Sequence, residues 1–144
     1  MKIREVTECD RPLFEELSND SKVKRYNVSP VMYPNSDEVP YQRIIEDDFG
    51  ITQGIVAIVK SEAYDGTFYE RVCAIHKRAR RKGLATFACS EINNVVDSKI
   101  RDKLIACIDK SNYEAISRME KLGLTHSGYR TPPNEHIKIF HLKK

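Results

Sequence analysis

Residues Tyr69–Ile108 read YERVCAIHKRARRKGLATFACSEINNVVDSKIRDKLIACI, and the way this stretch divides sets the architecture. "YERVCAI" closes a run rich in aromatic and β-branched residues and reads as a strand. Leu84, Phe87, Ala88, Ile92, Val95 and Val96 then fall on one stripe at helical spacing, which predicts a helix from close to Gly83 to about Asp97. "KLIACI", Lys103–Ile108, is a short apolar run of the kind a sheet buries on both faces. Strand, helix and strand in that order give a parallel pair joined by a right-handed crossover. Between the first strand and the helix, His76–Lys82 packs five Lys or Arg side chains and a histidine into seven residues, with Gly83 at the join.

Working outward, Lys2 to Val6 alternates as a short strand, and Asp10 followed by "RPLFEEL" supplies an N-cap and an early proline for a helix. "YQRIIEDDF", Tyr41–Phe49, is expected to form a further helix. "GIVAIVKSE", Gly54–Glu62, is a second strand, predicted to pair with the Tyr69 strand in a hairpin turning across Tyr64 to Gly66. Beyond the quoted stretch, Ser111 and Glu114 make a capping box for a helix through Tyr113, Ile116 and Met119 that stops at Gly123. "LTHSGYR" and "HIKIFHLK" are two closing strands separated by the turn-rich "TPPNE". Antiparallel strands on both sides of the parallel pair make a mixed α/β (α+β) fold, a central mixed sheet with helices on both faces. The 144 residues suit a single domain, 1–144.

Composition narrows the function classes. With 40% hydrophobic and 31% charged residues the chain has a globular composition, and no apolar run is long enough for a membrane span. The N-terminus lacks the apolar core of a secretory signal, so a cytoplasmic home is expected. Cys9, Cys73, Cys89 and Cys107 show no metal-cage spacing, and the four histidines none either, so reduced thiols and no metal are expected. A net charge of +3 does not by itself imply nucleic acid, since the positive charge is gathered in one segment. Tyr26, Tyr33 and Tyr41 read as packing residues, and His136 and His141 as surface residues.

The join at Gly83 carries chemistry. A helix N-terminus offers unpaired backbone N–H groups and the positive end of the helix dipole, a setting that favours anions. A glycine there lets a phosphate approach the backbone, and Arg80, Arg81 and Lys82 add charge that a diphosphate can use. No G-x-x-x-x-G-K-[ST] and no G-x-G-x-x-G is present, which excludes the common nucleotide loops.

The remaining pattern, R-x-x-G-x-A from Arg80 to Ala85 between a strand and an amphipathic helix, resembles the acetyl-CoA motif of the GNAT acetyltransferase superfamily. "SNYEAISRMEKLGL", Ser111–Leu124, is similar to the family's later helix motif, and "IREVTECD" to many family N-termini. The resemblance implies acetyl transfer from acetyl-CoA to a primary amine by direct attack in a ternary complex. It also implies that the backbone of Cys73 and Ile75 pairs with the pantetheine arm and that the amides from Arg80 through Gly83 and Leu84 to Ala85 wrap the pyrophosphate. Asn112 would contact the cofactor, or serve only as helix-start chemistry. The two parallel strands would separate to admit the thioester. The family's tyrosine acid falls on Met119, which cannot donate a proton, and "SRMEKLGL" looks most like the branch acetylating protein N-termini. For the base, Glu70 is the better proton acceptor, Tyr69 holds the family position by count, and His76 ranks third. The family has three strands between its early helices and the phosphate loop, whereas Gly50–Ile75 supplies two.

The acceptor is expected to be an amine of a protein or small molecule, the protein a monomer or homodimer. A catalytically silent acyl-CoA-binding module and a nucleic-acid-binding module using the basic loop stand as the alternatives; the latter lacks base-reading side chains near the loop.

Overall fold

The computed structural model describes residues 1–25, 37–60, 68–129 and 137–142. Its elements are β1 (Lys2–Glu5), α1 (Arg11–Ser18), α2 (Ser21–Arg25), β2 (Tyr41–Glu46), β3 (Thr52–Lys60), β4 (Tyr69–Ile75), α3 (Leu84–Val95), α4 (Ser98–Arg101), β5 (Leu104–Asp109), α5 (Tyr113–Lys121), β6 (Leu124–Tyr129) and β7 (Ile137–Leu142). The strands form one mixed sheet of order β1-β2-β3-β4-β5-β7-β6, in which only β4 and β5 run parallel. The crossover read from Tyr69–Ile108 is present, with α3 between the two parallel strands.

The segment expected to be a helix, Tyr41–Phe49, is a strand through Glu46 instead. Ile44 and Ile45 are both fully buried, and they belong to different cores. Adjacent residues can do that only in a strand covered on both faces, where the alternation that marks a strand disappears from the sequence. Ile44 joins Ile55, Ala74 and the α1 residues Leu13, Phe14 and Leu17. Ile45 joins Val56, Ile58 and the α3 residues Leu84, Ala88 and Ile92. A third cluster packs α5, through Ala115, Ile116 and Met119, against Ala106, Ile108, Phe140 and Cys89. The sheet therefore carries α1 on one face and α3 with α5 on the other. With β2 in place, three strands precede the basic loop, so the expected shortage does not exist.

Two caps differ from expectation. Asp10 stands at the start of α1, but its carboxylate accepts from the Arg4 guanidinium at 2.8 and 2.9 Å and from the Thr7 amide at 2.8 Å, not from α1. At α5 the cap is Asn112, whose Oδ1 accepts from the Ala115 amide; Ser111 instead donates its hydroxyl to Asp109. Val95 and Tyr113, counted on apolar stripes, are exposed. The expected turn at Tyr64–Gly66, "TPPNE", Tyr26, Tyr33 and His136 lie outside the described residues.

Gly54 on β3 fixes how closely β4 can lie. A Cβ there would collide with the Ala74 carbonyl oxygen and stand 2.8 Å from Ile75 Cδ1 and 3.2 Å from Ile75 Cα. Gly54→Ala is expected to lower unfolding free energy by about 3 kcal/mol, the upper range for overpacking because backbone must yield. Urea unfolding of the variant checks this; an unchanged midpoint would mean the strands are not in contact here.

Candidate active site

β4 and β5 pair only at Tyr69–Leu104 and Glu70–Ile105. Beyond those residues each turns its backbone to a different neighbour: β4 stays in register with β3 to Ile75, and β5 with β7 to Asp109. The strands thus part like the arms of a V. The inner edge of β4 from Arg71 to Ile75 takes no part in β5 pairing. The vertex at Glu70 is roughly 16 Å from Ile75 at the usual rise per residue.

At the open end the chain leaves β4 through a short 3-10 turn, Lys77–Ala79, and enters α3 at Gly83. Gly83 is left-handed at φ 80°, and Arg81 is left-handed too at φ 64°, an uncommon conformation for a residue with a side chain. No side chain caps α3, so the first-turn amides keep the free donors every helix start carries. These features face a cavity of about 570 Å³ between the β4 edge and α5.

Of the residues singled out from the sequence, Cys73, Ile75, Arg80, Arg81, Gly83, Leu84, Ala85 and Asn112 line this cavity. Lys82 does not; its charge instead helps lower the carboxyl of Asp47, after the Gln53 and backbone hydrogen bonds to that group. Arg80 is engaged, donating to the Ile75 carbonyl at 3.2 Å and to Asp20 at 2.7 Å. Burial opposes charge on Asp20, but Arg80 and the amides of Val23 and Lys22 outweigh it and hold the carboxyl below its ordinary value. Arg81 reaches across the mouth to Glu114 at 2.8 Å, and Lys22 meets the same carboxylate at 3.0 Å. Those two cations, Lys22 first, keep Glu114 below the usual carboxylate range.

Among the cavity residues that the sequence did not single out are the polar or charged Lys22, Ser117, Arg118 and Lys121. The last three share one face of α5 with Glu114, a spacing visible in the sequence but indistinguishable there from a solvated helix surface. Arg118 Nε is buried and is the one such side-chain atom with no hydrogen-bond partner among the described residues.

The three candidate bases fall in different places. Tyr69 and Glu70 are both partly buried at the vertex, on opposite faces of β4. The β3–β4 register runs without a shift, so no bulge moves Glu70 onto the Tyr69 face. Glu70 shares the face of Ala74, on the α1 side, and Tyr69 that of Cys73, on the α3 side. His76 is tied down: its Nδ1 accepts from the Arg78 amide and its Nε2 meets Glu16 at 2.7 Å, a link between the loop and α1. Met119 is buried, and its sulfur accepts from Arg71 at 3.1 Å.

The sequence profile of the acetyltransferase (GNAT) domain matches residues 1–125. The chain belongs to the GNAT acetyltransferase family. It is an acetyl-CoA-dependent N-acetyltransferase, and the V-shaped parting of β4 and β5 agrees with the separation that the family resemblance implied. Solved structures share the fold. The ribosomal-protein-alanine N-acetyltransferase from Brucella melitensis is 17% identical, with 97% of this chain and 96% of that one covered and a TM-score of 0.67. Spermidine N-acetyltransferase from Vibrio cholerae, solved with CoA and spermine, is 16% identical, with 96% and 91% covered and a TM-score of 0.67. A Salmonella typhimurium structure holding its cofactor acetyl-CoA is 16% identical, with 100% and 95% covered and a TM-score of 0.67. No curated protein sequence matches the chain. No helix among the described residues is long and apolar enough to cross a membrane, and no group of side chains there could hold a metal ion.

Proposed function

We propose that this GNAT enzyme acetylates a primary amine, either a protein N-terminus, a lysine or a small amine, by direct attack in a ternary complex. The observation that carries the reading is one cavity uniting the uncapped start of α3 with the edge of β4 that β5 leaves unpaired. The residues present suit acetyl-CoA. The space beside Gly83 is open, with nothing within 4 Å of where a Cβ would stand, and Arg118 brings an unsatisfied buried N–H to the wall. The thioester supplies an activated acetyl group.

The chain's own residues divide the remaining work. Amides of Gly83, Leu84 and Ala85, with Arg80 and Arg81 beside them in the cavity wall, hold the diphosphate at the positive end of α3. Backbone groups of Cys73 and Ile75 hold the arm along the parted strand. Asn112 contributes its side-chain amide while its oxygen caps α5. Glu70, on the α1 side of the vertex, takes the proton of the incoming amine; Tyr69, on the opposite face, is the second candidate. Met119 cannot supply the leaving group's proton, and the charges of Arg71 and Arg118 stand near it instead. Most of the rate then comes from positioning two bound substrates. "SRMEKLGL" favours a protein N-terminus as acceptor.

Thiol release from acetyl-CoA, followed over peptides with free N-termini, lysine peptides and polyamines, tests the acceptor. Glu70→Gln is expected to lower kcat about 100-fold, the low end for a lost general base, while the melting shift produced by CoA stays as in wild type. Unchanged turnover would remove Glu70 from the mechanism. CoA binding without thiol release from any amine would favour the silent-module reading.

A further inference from the structure

The wall of the cavity carries five cations, Lys22, Arg80, Arg81, Arg118 and Lys121, and among the described residues one carboxylate, Glu114. A cleft lined by one sign of charge concentrates ions of the other, so a lone acid works against a site for a polyanion. Glu114 does not stand apart from the cations. Its Oε1 accepts from Arg81 at 2.8 Å and its Oε2 from Lys22 at 3.0 Å, across 33 and 92 residues of chain.

These pairs span the open end of the V. Lys22 belongs to α2, whose Val23 is buried with Leu13, Phe14 and Leu17 in the core on the α1 side of the sheet. Glu114 lies in the first turn of α5, whose Ala115 and Ile116 are buried in the core on the other side. Asp20, just ahead of α2, accepts from Arg80 at 2.7 Å, and Arg80 also donates to the carbonyl of Ile75, the last residue of β4. The end of one arm is therefore tied to α2, and the end of the other, β5, leads into α5. The Lys22–Glu114 pair joins the two helices like a bar across the gap, and Arg81 fixes the bar to the loop before α3. Side-chain exposures of 37% at Lys22, 48% at Glu114 and 82% at Arg81 make these weak pairs, able to exchange for a stronger partner.

We propose that Glu114 is an internal competitor for the cations of the coenzyme A site, a strap that holds Arg81 and Lys22 across the mouth of the free chain and surrenders them to the ligand's phosphates. This rests on the reading of the cavity as the coenzyme A site. A diphosphate carries more negative charge than one carboxylate, and a guanidinium meets phosphate through paired, charge-assisted hydrogen bonds, so the phosphates prevail. As Arg81 and Lys22 turn to them, the link between α2 and α5 is released and the open end of the V is unbarred. Glu114 thus selects what enters by charge: a pantetheine arm without phosphates leaves the strap closed. Acetyl transfer as described above makes no use of this carboxylate.

A zero-length carbodiimide joins a lysine to a carboxylate only where the two touch, so it captures the closed strap as an amide between Lys22 and Glu114. The full chain is treated with carbodiimide alone, with saturating CoA and with pantetheine, and mapped by peptide mass. The Lys2–Glu46 pair of β1 and β2, 3.4 Å apart and outside the cavity wall, serves as the internal reference. CoA is expected to cut the Lys22–Glu114 product at least fivefold relative to that reference, and pantetheine to leave it unchanged. By calorimetry, Glu114→Gln is expected to bind CoA about fivefold tighter, the gain from two weak surface pairs that no longer have to be broken. A carboxylate that merely braced the site would give the opposite sign. Weaker or unchanged CoA binding by the variant overturns the proposal, as does a cross-link that is missing from the free chain or persists under saturating CoA; the cross-linking stands without the variant if that chain fails to fold. The melting shift of wild type with CoA is measured on the same samples, and its absence overturns the cavity reading, whether or not the strap cross-links.

Discussion

Replacing Gly83 by valine is expected to abolish detectable CoA binding and leave the chain folded. Gly83 is held at φ 80°, so a side chain there costs about 1–2 kcal/mol of backbone strain, tolerable for a domain with several times that stability. Nothing inside the protein obstructs a Cβ at this position. The obstruction falls on the ligand, since the open space beside Gly83 is where the proposed site has a phosphate meet the helix amides. Losing two charge-assisted hydrogen bonds, each about 1.5–3 kcal/mol, weakens binding by more than roughly a hundredfold. Wild type at a CoA concentration about 100 times its Kd should melt roughly 5–10 °C higher than without CoA. The variant should show no shift at the same concentration and a melting point only slightly lowered in its absence. A preserved shift would place the diphosphate elsewhere.

Asp10→Ala is expected to cost about 3 kcal/mol at neutral pH, the lower end for breaking a buried ion pair because Arg4 keeps Glu46 at 3.0 Å. The Asp10 side chain is 4% exposed, and it joins Arg4 of β1 to the Thr7 amide ahead of α1. Arg4 first, by hydrogen bond, and the Thr7 amide next hold its carboxyl below the ordinary value against the opposing effect of burial. Glu46 is lowered chiefly by the same arginine. Because the unfolded chain binds these protons more readily, the stabilisation is complete above the ordinary carboxylate pKa of about 4 and disappears as pH falls through the folded values. Urea unfolding of wild type and variant should differ fully at pH 7 and by progressively less as pH falls below about 4. A difference that persisted in acid would mean that the charge of Asp10 is not the source.

What the sequence disclosed about this fold followed from periodicity. The α3 stripe, the β-branched β3 run and the short apolar β5 each bury one pattern against one or two layers, and each appears where it was expected. β2 was hidden because Ile44 and Ile45 enter opposite cores, which removes the alternation that distinguishes a strand. The start of α5 was misplaced by one residue because Ser111 and Asn112 are both capping residues, and the Asp109 carboxylate claims the serine. At the candidate site the basic loop and Gly83 were legible because glycine and charge are local signals. Arg118 and Lys121 were not, since a charged residue on a helix looks the same whether it faces water or a cavity. The limit of β4–β5 pairing at Glu70 depends on residues far apart in the chain, and no window of sequence contains it.

β7 follows β6 in the chain, yet it lies between β5 and β6. While the ribosome still holds residues 137–142, β6 has no neighbour and β5 is paired only through its first two residues with β4. Both edges of β5 are then exposed, a template for pairing with other nascent chains. Completion of the sheet, and with it the second arm of the V, therefore waits on residues 137–142: β5 and β6 gain their shared neighbour only when these pair.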